Sequence, residues 1–478
     1  MQAIIGEREV SSQKLIEVRN PASGEVVDTV PSLDRDQVRE AIDVAYNSQE
    51  KLLAMAVAKR SKALLQIASL IRESLNDLAV LMTRETGRPI KSSRGEIERT
   101  AQIFELAAAE VRRVMEGKYV PLDAYEFPPG NERRFALVRR EPLGVVAAIT
   151  PFNFPAASFA HKVAPALAVG NTVVFKPSSL TPLTQMRLAT LVLRVFPRGV
   201  LNVITGDSTM IGDEFVNNEK VSLITFTGSA SVGLELASRA VKQGKRVIME
   251  LGGSDAMIVL EDADLKRAVK SAVIGRFDFA GQFCNATKRV IVRREVEDQF
   301  LKMLKEELKK LKAGDPLDES VDVAPLISEQ ARDRMREFLE DAVKGGGEIV
   351  FQIDVPKHGN YFPPTVFKAP PKLKLRALWE ETFGPILPVI PVDSDDEAIK
   401  VANSTEYGLD ASVFTSNFSR AYEIATKLKV GTVVINDTTR LRWDNLPFGG
   451  VKKSGIGRES IVDTMTEMTE TKLLVYSI

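Results

Sequence analysis

Cysteine and histidine are nearly absent: the 478 residues hold one cysteine, Cys284, and two histidines, His161 and His358. A lone cysteine excludes any intrachain disulfide, so the fold does not depend on an oxidising compartment. It also excludes a cysteine-rich zinc site, and two histidines exclude a three-histidine catalytic zinc. Net charge is missing as well, because 64 Lys and Arg are matched by 64 Asp and Glu. No surplus of cations exists to displace counterions, which removes nucleic acid as the main partner. The opening MQAIIGEREV reaches Glu7, Arg8 and Glu9 before a signal-peptide core could form. The most apolar stretch, 144–175, is broken by Asn153, Pro155, His161, Lys162, Pro165 and Asn171. It falls short of the ~18 consecutive apolar residues of a membrane helix. A cytoplasmic protein without a membrane span is expected.

What is present describes a globular chain. Hydrophobic residues at 44% and charged residues at 27% are ordinary for one. The length suggests about three domains of ~150 residues, and a chain of this size hides about three quarters of its unfolded surface. The first hundred residues read as mainly helical. Asp34 is a candidate N-cap, followed by Val38, Ile42 and Ala45 at helical spacing. Leu64, Ile67, Ala68 and Ile71 share a face of a second helix. A third ends at Gly87, before Pro89, and 94–116 makes a fourth. Residues 118–140 read as an inserted hairpin around Pro128-Pro129-Gly130-Asn131. Apolar strands at 145–149, 172–175, 200–204, 223–226 and 247–249 then alternate with helical segments. That alternation predicts an α/β fold with a parallel sheet, whose ligands sit at the carboxyl ends of the strands. A second alternation starts at 256–260 and runs to 432–435, and the terminal 473–477 is a strand able to pair with the hairpin.

Chemistry is sought at the strand ends. The turn Gly228 to Gly233 is followed by Leu234-Glu235, not Lys-Ser/Thr, so it is no Walker loop, and G-x-G-x-x-G is absent. It reads either as a structural turn or as a helix start offering amides to one phosphate. Cys284 reads either as a small buried hydrophobe or as a nucleophile, which needs only a lowered pKa and access. His161 and His358 read as structural. A base for Cys284 is then a carboxylate, with Glu250 at a strand end the candidate.

Eight segments in order, NPASGE at 20–25, TPFNFP at 150–155, FKPSS at 175–179, FTGS at 226–229, MELGG at 249–253, GQFC at 281–284, ETFGP at 381–385 and PFGGVKKSGIGRE at 447–459, resemble the aldehyde dehydrogenase superfamily over nearly the whole chain. The resemblance implies a parallel-sheet cofactor domain (1–116, 141–251 and 442–462), an α/β catalytic domain (252–441) and a small β oligomerisation piece (117–140 and 463–478). It implies Cys284 as nucleophile, forming a thiohemiacetal and then a thioester. Asn153, with the Cys284 backbone N–H, would hold the oxyanion, and Glu250 would activate the water that releases the acid. It further implies Lys176 and Glu381 as ribose ligands, Gly228 and Ser229 at the pyrophosphate, Gly206 on the adenine side and Phe383 at the nicotinamide. Members preferring NAD often carry Glu where this chain has Ser179, so NADP is expected to be preferred, with NAD the alternative. The usual tryptophan of the first motif is Phe152 here. The tail VINDTTRLRWDNLPFGG at 434–450 is similar to members acting on lactaldehyde or glyceraldehyde. Arg440 and Arg442 within it are expected to be surface or interface cations, with contact to a polar or anionic substrate group as the other reading. A homodimer or homotetramer is expected through the hairpin and terminal strand. The alternatives are a coenzyme A-acylating dehydrogenase, a non-redox cysteine hydrolase or acyltransferase, and a binding protein that kept the fold.

Overall fold

Helix and strand boundaries follow local chemistry closely. In the computed structural model, which describes residues 1–478, Asp34 accepts from the Gln37 amide while Gln37 returns a bond to the Asp34 backbone. This capping box starts the helix Arg35–Asn47. The helix Leu75–Thr86 stops at Gly87, whose φ of 72° is left-handed. Ile90–Met115 is the longest helix. The reading of the first hundred residues as mainly helical misses four short strands. Ala3–Ile5 and Arg8–Val10 extend the edge of a large sheet, and Leu15–Arg19 pairs with Val26–Pro31 around the NPASGE turn. Runs of three to six residues are too short for periodicity to register.

Two large sheets divide the chain. The first has eight strands, with Val145–Ile149, Thr172–Lys176, Leu201–Val203, Val221–Thr227 and Arg246–Glu250 parallel at its centre. Chain order reverses between Val145–Ile149, which pairs with Thr172–Lys176 on one side, and Val221–Thr227 on the other. A reversal of this kind opens a crevice beyond the carboxyl ends of the two diverging strands. The second sheet has seven strands drawn from residues 255–435, all parallel except Glu348–Gln352 at its edge. The inserted hairpin forms as Lys118–Pro121 and Arg134–Pro142, and Thr469–Ser477 pairs with the latter over nine residues.

The apolar stretch after the first parallel strand becomes the helix Pro155–Val169, every residue of which is buried. Pro at its first position needs no amide partner. The amides of Ala156 and Ala157 donate to Glu96 at 3.0 and 3.2 Å, and Gly170 at φ 100° ends it. The helix Ile461–Glu467 buries Ile461 and Met465 in the same core, so the terminal segment leaves the body only at Thr469. No helix is long and apolar enough to cross a membrane.

Candidate active site

The crevice between the two sheets is a cavity of about 980 Å³. Its walls include Glu250 and Cys284 with Asn153, Glu381 and Phe383, and Lys176 with Ser178 and Ser179; Gly228, whose amide donates to the Glu250 carbonyl at 3.1 Å, and Ser229 line it as well. Gly206 is not brought to it. Its α-carbon faces the Leu33 backbone, which it meets in an isolated bridge, and the nearby Ser208 and Gly212 line the cavity instead.

Cys284 follows a distorted loop. Phe279 and Ala280 take left-handed φ values of 46° and 53°, and Gly281 takes 69°. Two consecutive non-glycine residues in that region cost of order 1–3 kcal/mol each and persist only where surroundings enforce them. Gln282 supplies part of that enforcement: its Nε2 donates to the Phe279 and Pro325 carbonyls, and its Oε1 accepts from the Ile327 amide. Arg276 ties the same region to the ETFGP motif through Thr382 and Gly384. Lys288, fully buried, donates to the Phe283 and Cys284 carbonyls. The Cys284 amide donates to no protein acceptor.

Asn153 is fixed to that loop, donating through Nδ2 to the Gln282 carbonyl at 2.8 Å and keeping a second N–H unused. Behind it, Arg88 donates to the Asn153 carbonyl at 2.6 Å and pairs with Glu96 at 2.5 Å. Its guanidinium lies 4.5 Å from the ring centres of Phe154 and Phe279 and 5.5 Å from that of Phe283. One buried ion pair therefore fixes the Asn153 backbone beside the loop that carries Cys284.

Burial pushes the Cys284 thiol well above its ordinary range, and the neighbouring Glu250 adds to this. Burial, then the charge of Glu459, raises the Glu250 carboxyl to about 8. Each, as an anion, therefore favours the protonated form of the other. Cys284 is nonetheless open to the cavity. Around them stands a charge network. Lys162 bonds Glu459 at 3.2 Å, and Arg442 bonds the same carboxylate at 3.0 Å. His161 Nε2 meets Asp444 at 2.9 Å, and Arg99 holds that carboxylate through two nitrogens. Burial opposes it, yet Lys162 and Arg442 hold Glu459 well below the carboxylate range. His161 is pulled down by burial and by Arg442, so it is neutral near pH 7.

Several sequence expectations change here. Arg440 and Arg442 are not surface cations: their side chains are 16% and 15% exposed and line the cavity. His161 lines it too, while His358 lies exposed beside Tyr361. Lys288, Glu459 and the Arg88–Glu96 pair escaped sequence reasoning. The available signal for Lys162 was an ionisable residue in an otherwise apolar helix, since a buried charge demands a partner.

The remaining end fits a dinucleotide. Lys176 is 4% exposed, and its ammonium has one contact, the Pro177 carbonyl at 3.3 Å. Burial lowers it to about 8. A buried cation so poorly partnered suits an incoming anion. Ser229 precedes the helix Ala230–Lys242 without capping it by side chain, and its first residues line the cavity. Open amides at a helix start suit a diphosphate. Glu381 accepts from the Gly253 amide at 3.0 Å, and a β-carbon on Gly252 would lie 2.2 Å from its carboxylate. Phe383 meets Phe152 edge to face at 5.8 Å.

The crevice at the sheet reversal thus gathers an accessible thiol, a buried carboxyl and an under-partnered lysine beside an open helix start. The aldehyde dehydrogenase family model matches residues 8–474. A lactaldehyde dehydrogenase of Methanocaldococcus jannaschii is 40% identical over 97% of both chains. An NADP-dependent glyceraldehyde-3-phosphate dehydrogenase of Streptococcus equinus is 38% identical over 99% of this chain and 98% of its own. The crystal structure of the Bacillus halodurans NADP-dependent glyceraldehyde-3-phosphate dehydrogenase with NADP superposes with a TM-score of 0.95 at 36% identity, covering 100% and 99% of the two chains. The chain belongs to the aldehyde dehydrogenase family. It is an NAD(P)-dependent aldehyde dehydrogenase with the α/β fold of that family.

Proposed function

We propose that this chain oxidises a small hydroxyaldehyde to its carboxylic acid, using NADP in preference to NAD. What supports this reading is one continuous cavity with a thiol, an amide and a buried carboxyl at one end and a poorly partnered lysine among serines at the other. Relatives named for lactaldehyde and for NADP-dependent glyceraldehyde 3-phosphate oxidation support it as well.

Cys284 is the nucleophile. Glu250, in its ionised form, takes the thiol proton as sulfur bonds the aldehyde carbon and then releases it to solvent through the cavity. The oxygen that gains charge accepts from the unused Asn153 N–H and the free Cys284 amide, each donor contributing about 2.7–4 kcal/mol to the transition state. NADP supplies the acceptor for the hydrogen that leaves the thiohemiacetal carbon with its electron pair. Glu250, once deprotonated, takes a proton from water attacking the thioester, and the carboxylic acid leaves Cys284. Glu250 gives water an activated route to the thioester, which favours hydrolysis over transfer to coenzyme A. Lys176 and the Ser178–Ser179 pair bind the adenine-side ribose and its phosphate; no carboxylate stands at position 179 to repel that phosphate. Glu381 grips the other ribose, Phe383 supports the nicotinamide, and Gly228 and Ser229 take the diphosphate.

The first sheet with its helices (1–116, 141–251 and 442–462) is the cofactor unit, and 252–441 is the catalytic unit. Segments 117–140 and 463–478, the latter through the part that leaves the body from Thr469 on, join copies of the chain into a homodimer or homotetramer. The three-stranded sheet leaves Tyr119, Leu473, Val475 and Tyr476 exposed, as an uncovered interface would. Mixing the protein with glyceraldehyde and NADP and following reduced nicotinamide tests the reading. Appearance of glycerate with reduced cofactor is expected, and absence of both with any aldehyde and either cofactor overturns it.

A further inference from the structure

A buried charge holds the carbonyl side of the peptide that leads into the nucleophile. Lys288, on the strand Thr287–Arg293, is fully buried and does not line the cavity. Its Nζ donates to the Phe283 carbonyl at 2.7 Å and to the Cys284 carbonyl. The Phe283 oxygen also accepts from the Ala286 amide at 3.3 Å, so both its lone pairs are engaged. Glu381 lies 4.0 Å from Nζ, and the Lys288 charge is felt at Asp255 and Asp410 as well. The hydrogen bonds of Lys288 nonetheless go to the two carbonyls.

The Phe283 carbonyl and the Cys284 N–H belong to one peptide group. That group is trans and planar, so its C=O and N–H point in opposite directions. An ammonium on the oxygen fixes the plane, turns the N–H away from Lys288 and draws electron density out of the amide. The N–H becomes a stronger donor, because linked hydrogen bonds polarise one another and charge-assisted ones are roughly twice as strong as neutral ones. This is the amide that donates to no protein acceptor, and Cys284 lines the cavity while Phe283 and Lys288 do not. Gln282 holds the preceding turn with neutral bonds alone, to Phe279, Pro325 and Ile327. A neutral anchor thus suffices to hold this loop, and burying an ammonium costs more. The charge also reaches the sulfur: burial and Glu250 raise the Cys284 thiol, and Lys288 opposes them.

We propose that Lys288 is a positioning residue of the oxyanion hole, fixing and polarising the Phe283–Cys284 peptide so that the Cys284 N–H receives the charge that develops on the aldehyde oxygen. The proposal rests on the reading of Cys284 as nucleophile and of its amide and Asn153 as oxyanion donors. It adds to them a residue that stands outside the cavity.

Two reagents for the single thiol, neither needing NADP, test this. With p-nitrophenyl acetate, sulfur bonds the acetyl carbon through a tetrahedral oxyanion and p-nitrophenolate leaves. With iodoacetamide, sulfur displaces iodide and no oxyanion forms. The ratio of the acylation rate to the alkylation rate cancels any change in thiolate fraction. Lys288→Met is expected to lower that ratio by about tenfold or more, short of the roughly 10²–10³-fold that outright loss of a donor costs. Lys288→Gln, which keeps a neutral donor, is expected to lower it less, and Asn153→Ala to lower it as well. A native ratio in both Lys288 variants, with Asn153→Ala below it, overturns the inference and leaves the oxyanion reading standing. A native ratio in all three overturns both. Should the Lys288 variants fail to fold, native enzyme decides: with ¹⁵N at its only cysteine and ¹³C at phenylalanine carbonyls, one linked signal arises, from the 283–284 peptide. Its carbonyl carbon is expected downfield of the mean phenylalanine carbonyl, and a position at that mean overturns the inference.

Discussion

The two ends of the cavity are built on opposite electrostatic plans. At the cysteine end nearly every charge has a partner inside the protein: Glu459 with Lys162 and Arg442, Asp444 with Arg99 and His161, Arg88 with Glu96. Cys284 and Glu250 remain as the groups that hold their protons more firmly than usual, because burial disfavours both anions. At the cofactor end the protein leaves its polar groups short of partners, as with Lys176 and the amides that open Ala230–Lys242. A preorganised network stabilises charge that appears only during reaction, whereas under-satisfied donors are completed by a bound ligand.

This contrast can be broken at either end. Replacing Cys284 by Ala should give the largest effect, a fall in turnover of about 10⁴-fold or more, with NADP binding retained by fluorescence titration. Retained turnover would remove the thiol from the mechanism. Asn153→Ala should lower kcat by about 10²–10³-fold with little change in cofactor affinity, as loss of one oxyanion donor does. A change confined to KM would place Asn153 outside the transition state.

At the cofactor end, Lys176→Met should weaken NADP by roughly ten- to a hundredfold while leaving the alkylation rate of Cys284 without cofactor unaltered. Ser179→Glu should reverse the preference towards NAD by about tenfold or more, since a carboxylate would then face the phosphate. Steady-state kinetics with both cofactors checks each; an unchanged preference in Ser179→Glu would move the phosphate elsewhere.

The smallest effect expected is in the pH profile. Glu250 is an effective base only when deprotonated, so hydrolysis of the thioester should rise as pH climbs through about 8. Its folded pKa lies above the unfolded value of 4.5, so the neutral carboxyl favours the folded state, and that advantage is lost as pH rises from the unfolded value through the folded one. Native enzyme should therefore lose thermal stability relative to Glu250→Gln between about pH 4.5 and about pH 8, and no further above that. Melting curves that stay parallel across this range would show that Glu250 is ionised throughout.

Much of the site is visible in sequence because its chemistry uses residue types that tolerate no substitute. Gly252 must be glycine, since a β-carbon would strike the Glu381 carboxylate, and Gly281 takes a left-handed φ inside a tight loop. Such demands leave short motifs in fixed order. The parallel strands were visible for a related reason, buried apolar runs separated by helices, and the structure places all five within two residues of expectation. The four short N-terminal strands and the inward position of Arg440 and Arg442 were not visible. Arginines spaced two apart in a polar segment look the same whether they face solvent or a cavity.

By itself, the sequence determined the family, the α/β alternation and the identity of the only thiol, because each rests on local residue type and order. Only the tertiary structure decided who pairs with whom. Arg99 finds Asp444 across 345 positions, Lys162 finds Glu459 across 297, and Arg88 reaches Asn153 across 65. A carboxylate's charge is written in its residue name, but its pKa and its partner depend on which distant segments the fold brings within a few ångströms and shields from water.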